Sequence, residues 1–188
     1  MAMDAYDQRF TRETEWGDLR DARFEACTIE GADWSGKDLR GARFEECTFV
    51  ECDLSNVRTL GLGLQDVTFQ GCKVVGFDFT SCNTLGLVVR LEECVADSAY
   101  FEGMDAKGVA WKGGRAHGAD FTGANLEGVV FDGVDLTDAV FERTRLEGAD
   151  FRSATGWRIR PDENGVRGAK FRREDLEGLV SGWHLELT

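Results

Sequence analysis

The 188-residue chain has one proline, Pro161, two histidines, two tyrosines and three methionines. Neither His117 nor His184 has a second donor at ligand spacing, and no Cys-x-x-Cys pair stands in for one, so the pattern offers no zinc centre. No Gly-x-Ser-x-Gly elbow, His-Glu-x-x-His helix or phosphate-binding loop occurs. No apolar run approaches the roughly 20 residues that a membrane span needs. The opening MAMDAYDQRF is acidic and polar, unlike a secretory leader. Basic residues are also in deficit, 22 against 35 acids, for a formal charge of −13. That sign argues against nucleic acid or an anionic membrane as partner, since both select a basic face. Acids outnumber bases 14 to 8 in residues 1–60, 8 to 5 in 61–120, 7 to 5 in 121–160 and 6 to 4 in 161–188. The excess is spread along the chain and is not an acidic tail.

What the chain has in quantity is glycine, 23 residues, and phenylalanine, 13 residues, arranged with a period of five. Phe121, Leu126, Phe131, Leu136, Phe141, Leu146 and Phe151 form one uninterrupted series. A helix buries a residue every 3.6 positions and a strand every 2.0, so this rhythm belongs to neither. The same series runs back to Leu91, and a second one runs from Leu19 through Phe24, Ile29, Trp34, Leu39, Phe44, Phe49 and Leu54 to Phe79. The two series differ in phase by two residues, which places an insertion between Phe79 and Leu91, most simply within NTLGLVVR, residues 83–90. Two positions before each large residue stands a small one, such as Ala22, Ala42, Val67, Ala119 or Ala149. Two positions after it glycine recurs, unbroken at Gly103, Gly108, Gly113, Gly118, Gly123, Gly128 and Gly133. Glycine at that spacing fits tight turns with positive φ and speaks against helices, where each would cost about 1 kcal/mol.

Each unit is therefore one straight side with two inward residues, two outward residues and a corner. Four such sides close a square coil of about 20 residues, and coils stack roughly 4.8 Å apart like strands. The expected fold is an all-β solenoid with a filled, narrow interior. Cys27, Cys47, Cys52, Cys72, Cys82 and Cys94 all occupy the small inward slot, which marks them as buried free thiols packing as small apolar groups. Carboxylates stand on the outer wall of a convex object, without the cleft that paired-carboxylate chemistry requires. No catalytic residue, metal or cofactor is expected, and the chain reads as a non-enzyme.

Stacking by 20 places Asp18 under Asp38, Asp33 under Asp53, Glu25 under Glu45 and Glu127 under Glu147, with Asp120 and Asp135 also on the outer wall. These columns are the candidate acidic faces. Residues 1–17 are expected to cap the first coil through Tyr6, Phe10 and Trp16; 18–82 form the first solenoid segment, 83–90 an inserted loop and 91–155 the second segment. Residues 156–188 are expected to close the far end with a short helix and then a strand. Leu176, Leu179, Val180, Trp183, Leu185 and Leu187 put more apolar surface there than a lid needs, so pairing with a second copy about a two-fold axis is expected.

The units ADFTG, ANLEG, VVFDG, VDLTD and ADFRS resemble the A(D/N)LXX consensus of the pentapeptide-repeat family over roughly residues 18–155. The mid-chain interruption, the cysteine-bearing units CTI, CTF and CDL, and the tail beginning at IRPDENG resemble the subgroup of quinolone-resistance proteins and of microcin B and albicidin immunity proteins. That resemblance implies a right-handed quadrilateral β-helix and a cytoplasmic homodimer joined through the C-terminal end. It further implies binding to DNA gyrase, and to the related topoisomerase IV, by partial mimicry of B-DNA. The enzyme would thereby be protected from a topoisomerase poison. It also assigns the loop a part in protection, with Leu85, Leu87, Val88, Val89 and Arg90 as candidate contacts. A charge of −26 on a dimer roughly 70 Å long is one per ~2.7 Å, against one per ~1.7 Å for DNA. Other readings of the same fold are a scaffold for a different protein partner and a binder that sequesters a toxin.

Overall fold

A computed structural model describes residues 3–180 and 183. The chain winds as a parallel β-solenoid. One sheet of four short strands, Asp4–Tyr6, Arg23–Glu25, Arg43–Glu45 and Gly63–Gln65, forms one side. A sheet of seven, from Arg9–Phe10 through Thr28–Glu30, Thr48–Val50, Val67–Gln70, Val89–Glu92 and Val109–Lys112 to Phe131–Asp132, forms the next. The other two sides are held by single parallel bridges, such as Asp33↔Asp53 and Asp38↔Arg58. The four sides are named here for the large residue each buries in the same coil: Phe24, Ile29, Trp34 and Leu39.

The register is 20 residues over most of the chain, as in Phe24↔Phe44, Ile29↔Phe49 and Trp111↔Phe131. Identical side chains consequently stand on one another inside. Phe24 stacks on Phe44 at 5.0 Å, Phe79 on Phe101 at 4.6 Å, Phe101 on Phe121 at 4.9 Å and Phe131 on Phe151 at 5.0 Å. These separations match the strand spacing of the coil. The interior is a column of rings and methyls with Phe69, Phe77, Phe101 and Phe121 wholly buried.

Two coils depart from the 20-residue length. The middle one gives Gly63↔Asn83 at the usual step but Val67↔Val89 and Phe69↔Leu91 at 22. The two extra residues thus fall between Asn83 and Val89, within the stretch expected to hold the insertion. By Val95↔Arg115 the step is 20 again. The first coil is one residue short, with Asp4↔Arg23 and Arg9↔Thr28. That missing residue shifts Phe10 out of the five-residue phase, so a stretch expected to be a cap already contains two sides of a coil. The covering role falls to Trp16, which meets Phe10 at 5.1 Å and Trp34 at 4.8 Å. Tyr6, expected beside it, is turned outward and 67 % exposed.

The ladder likewise runs past residue 155, through Arg145↔Gly165 and Asp150↔Lys170. Trp157 and Ile159 are buried there, and Phe171 stacks on Phe151 at 5.3 Å. A 3-10 turn, Arg173–Asp175, and a four-residue helix, Glu177–Val180, close this end. The helix rests on Trp157: a Cβ at Gly178 would come within 2.6 Å of its ring, and Ile159 N–H donates to Gly178 O at 3.0 Å. The strand expected after the helix, with Leu185 and Leu187, lies outside the described residues.

The cysteines occupy the inward slot and are free and buried. They also donate. Cys47, Cys52, Cys72 and Cys94 Sγ each reach the carbonyl of the large residue in the coil below, at Phe24, Ile29, Phe49 and Phe69, over 3.3–3.4 Å. Thr144 Oγ1 makes the same bond to Phe121 O at 2.9 Å, and Asn164 Nδ2 to Phe141 O at 2.9 Å. The slot thus accepts a small donor as well as a small apolar group. Burial pushes the Cys47 and Cys94 thiols up to about 11 and that of Cys82 to about 12, which keeps them protonated and unreactive.

Candidate functional site

A wall with a filled interior offers its outer face. Two outward residues flank each buried large one, two positions apart and roughly 7 Å from each other. An aspartate or asparagine in the first outward position accepts the backbone N–H two residues on. Asp33 Oδ1 takes Ser35 N at 3.0 Å, Asp53 takes Ser55 N at 3.0 Å, Asp120 takes Thr122 N at 2.9 Å and Asp135 takes Thr137 N at 3.0 Å. The short side chain mimics a turn of backbone. Six of the ten candidate acidic residues, Asp18, Asp33, Asp38, Asp53, Asp120 and Asp135, are in this position, so they shape the wall as well as charge it.

Where the second outward residue is basic, the same aspartates bind it. Arg20 Nε meets Asp18 at 3.0 Å, Arg40 Nε meets Asp38 at 2.8 Å, Lys107 Nζ meets Asp105 at 3.6 Å and Arg152 Nη2 meets Asp150 at 2.7 Å. The arginine hydrogen bonds hold the carboxyls of Asp18, Asp38 and Asp150 down at about 2. Asp38 is close enough to Asp18 to oppose its ionisation, and Arg20, Arg40 and Arg58 supply the compensating charge. In the Asp33–Asp53 stack the compensation comes from Lys73, 3.5 Å from Asp53.

The Phe24 side behaves differently. Arg23 stands in register with Arg43, and Glu25 with Glu45. None of these four side chains enters a hydrogen bond or ion pair among the described residues, and all are exposed. A shallow groove of about 490 Å³ lies against them, also lined by Asp4, Tyr6 and Gln8. Further along the same side Glu127 receives Arg145 at 3.2 Å. One oxygen of Glu147 is covered without a partner.

The five candidate loop contacts divide. Leu85 is 78 % and Val88 40 % exposed, and Arg90 is turned outward to pair with Asp66. Leu87 and Val89 are 8 % and 0 % exposed and belong to the interior. The correction follows from the size of the insertion: two residues bulge, and the rest of the stretch resumes the alternation of a side. At the closing end Leu176 and Trp183 are each 48 % exposed, while Leu179 packs on the core and Val180 is half-buried. His117 Nε2 lies 2.8 Å from Asp135 Oδ2, a partner that linear spacing did not show because it sits about one coil away. Among the described residues no group of three or more His, Cys, Asp or Glu is placed to hold a metal ion, and no helix is long and apolar enough to cross a membrane.

These features define a parallel β-solenoid protein whose wall is made of five-residue sides around a filled interior. The family model described as pentapeptide repeats matches residues 18–56 and 117–152 of the chain, in eight copies. No curated protein matches the sequence. Among solved structures, the chain is similar to a trypsin-treated form of QnrB1, a plasmid-mediated fluoroquinolone resistance protein. The TM-score is 0.62 at 17 % identity, over 100 % of this chain and 98 % of that one. It is also similar to HetL of the cyanobacterium Nostoc sp., a pentapeptide-repeat protein involved in heterocyst differentiation regulation. There the TM-score is 0.36 at 18 % identity, over 88 % and 81 % of the two chains.

Proposed function

We propose that this protein protects DNA gyrase, and topoisomerase IV with it, from a topoisomerase poison by occupying the channel where DNA lies. The observation that carries the reading is the acid excess of the outer wall, −13 per chain and spread over its whole length. A solenoid of that sign suits a basic saddle built for a duplex. The fold shared with a fluoroquinolone resistance protein over its full length supports the same direction. In this reading Asp18, Asp38 and Asp120 on the Leu39 side, Asp33, Asp53 and Asp135 on the Trp34 side, and Glu25, Glu45, Glu127 and Glu147 on the Phe24 side stand in for phosphates. Leu85, Val88 and Arg90 touch the enzyme from the bulge. The exposed Leu176 and Trp183, with Leu185 and Leu187, join two copies end to end in the cytoplasm. The protein acts by binding and carries out no reaction.

The test is a gyrase supercoiling and cleavage assay with a panel of poisons. Added protein is expected to restore supercoiling and lower poison-stabilised cleavage; no effect at many micromolar would overturn the reading. Because Leu87 and Val89 are structural, the role of the bulge is tested with Leu85→Ala and Val88→Ala. The pair is expected to reduce protection while leaving thermal stability within about 0.5 kcal/mol, as for other exposed positions.

A further inference from the structure

We propose that the Phe24 side of the N-terminal coils is a self-association surface that takes a second copy of this chain, laid alongside with both coil axes pointing the same way. This goes beyond the gyrase reading and does not depend on it. The argument is the open charge pattern of that sheet. Arg23 and Arg43 form one column and Glu25 and Glu45 the other, and all four side chains lack a partner among the described residues. Like charges stacked one coil apart repel unless something neutralises them, and among the described residues only Asp4, in register beneath Arg23, offers an opposite charge in either column, without forming an ion pair.

A second copy supplies what is missing. A two-fold axis along the coil axis swaps the two columns, so Arg23 of one copy meets Glu25 of the other, and Arg43 meets Glu45. The first rung pairs Asp4 with the exposed Tyr6, whose hydroxyl can donate to the carboxylate. The next rung, Gly63 and Gln65, is neutral. The charge order is thus self-complementary in every rung of the four-stranded sheet, which is what an isologous contact requires. A two-fold axis across the coil would bring arginine to arginine and glutamate to glutamate, so the pattern selects one arrangement of the two. Further along the same side the charges are met within the chain, Lys107 by Asp105 and Arg145 by Glu127, so the open pattern is confined to the N-terminal coils.

The Leu39 side shows that the pattern is specific. Its Asp18–Arg20 and Asp38–Arg40 rungs have opposite charges at the same spacing, but they close within the chain and leave little for a neighbour. The area of a four-stranded face is small against the ~800 Å² per partner of a standard interface. The association is therefore weak and is screened within a Debye length of about 8 Å at physiological salt. Once formed, it covers Glu25 and Glu45 and leaves the Trp34 and Leu39 sides free.

Sedimentation velocity on the full chain, over a concentration series at low and high salt, tests this without gyrase. The wild type is expected to show a concentration-dependent doubling of mass above whatever species the C-terminal end makes, lost at high salt. R23E/R43E puts four glutamates on the face and E25R/E45R four arginines, so each alone is expected to lose at least tenfold in association. Mixed one to one, they are expected to pair again. Circular dichroism checks that both variants fold, as exposed substitutions should. Absence of the salt-sensitive step in the wild type overturns the proposal, as does undiminished association of either variant alone. A mixture that does not recover overturns the two-fold geometry on which it rests.

Discussion

The Leu39 and Phe24 sides carry charges of both signs at one spacing and put them to opposite ends. On the Leu39 side the order is acid first, Asp18–Arg20 and Asp38–Arg40, and each rung closes on itself. In the N-terminal coils of the Phe24 side the order is base first, Arg23–Glu25 and Arg43–Glu45, and both rungs stay open. Rungs elsewhere follow the same division. Asp105–Lys107 and Asp150–Arg152 close, whereas Arg90 turns to Asp66 instead of Glu92, and Arg145 turns to Glu127 instead of Glu147. Arg160 does close on Asp162, but across Pro161, where the five-residue side is broken. The cause is local. A leading aspartate is short enough to be fixed by the N–H two residues on, and it then waits at the point a long basic side chain can reach. A leading arginine is not fixed, and the glutamate after it has no backbone donor to hold it. Order along five residues decides whether a charge serves the coil or remains available outside it.

The interior should be indifferent to this distinction. Phe44→Ala, under an open rung, and Phe151→Ala, under the closed Asp150–Arg152 rung, each remove a ring stacked on a neighbour and at most 1 % exposed. Each is expected to cost about 3–5 kcal/mol in chemical denaturation; a systematic difference between them would show that the outer rungs bear on the core. The closed rungs come next. Asp150 is the most buried of the leading aspartates, accepting Arg152 N at 3.1 Å and its guanidinium at 2.7 Å. Asp150→Ala is expected to cost about 1–3 kcal/mol, and Asp150→Asn less, since the amide oxygen keeps the turn.

The pH dependence separates the two sides further. The carboxyls of Asp18, Asp38 and Asp150 lie at about 2 in the folded chain against 3.8 ordinarily. Their contribution is therefore complete above about pH 4 and is lost as the pH falls through about 2. Replacing all three by alanine should flatten the acid limb of the stability curve, measured by thermal melts between pH 2 and 5. The smallest expected effect belongs to R23D/E25R together with R43D/E45R, which turns both open rungs acid-first. Stability should change by less than about 0.5 kcal/mol. The rungs should close, seen as new arginine–aspartate couplings by NMR, and side-by-side association should fall because the charges are spent within the chain.

Much of the fold was legible because a five-residue period has few solutions. The buried series, the cysteine slot and the place of the insertion could all be read from Leu19 to Phe151. The first coil was hidden by one missing residue, which moved Phe10 out of phase, and the last by the irregular stretch around Pro161. The outer wall was legible in its sign and in its stacked columns, but not in its bonding. The spacing of Asp38 and Arg40 is plain in the sequence, yet its meaning depends on a turn that points the carboxylate toward its own chain. The two extra positions fall between Asn83 and Val89, and fewer residues face outward there than expected: Leu87 and Val89 alternate inward because the chain rejoins its side.

That rejoining has a consequence for how such a chain can change. The step is 20 at Gly63↔Asn83, 22 at Val67↔Val89 and 20 again at Val95↔Arg115. A length error is thus absorbed inside a single coil and is not passed on to the coils above. The corner between Asn83 and Val89 works as a splice point: material can be added or removed there while the 20-residue step of the coils on either side is kept. New surface chemistry can be tried at that point by a lineage, or grafted by a designer, without renegotiating the packing of the phenylalanine column.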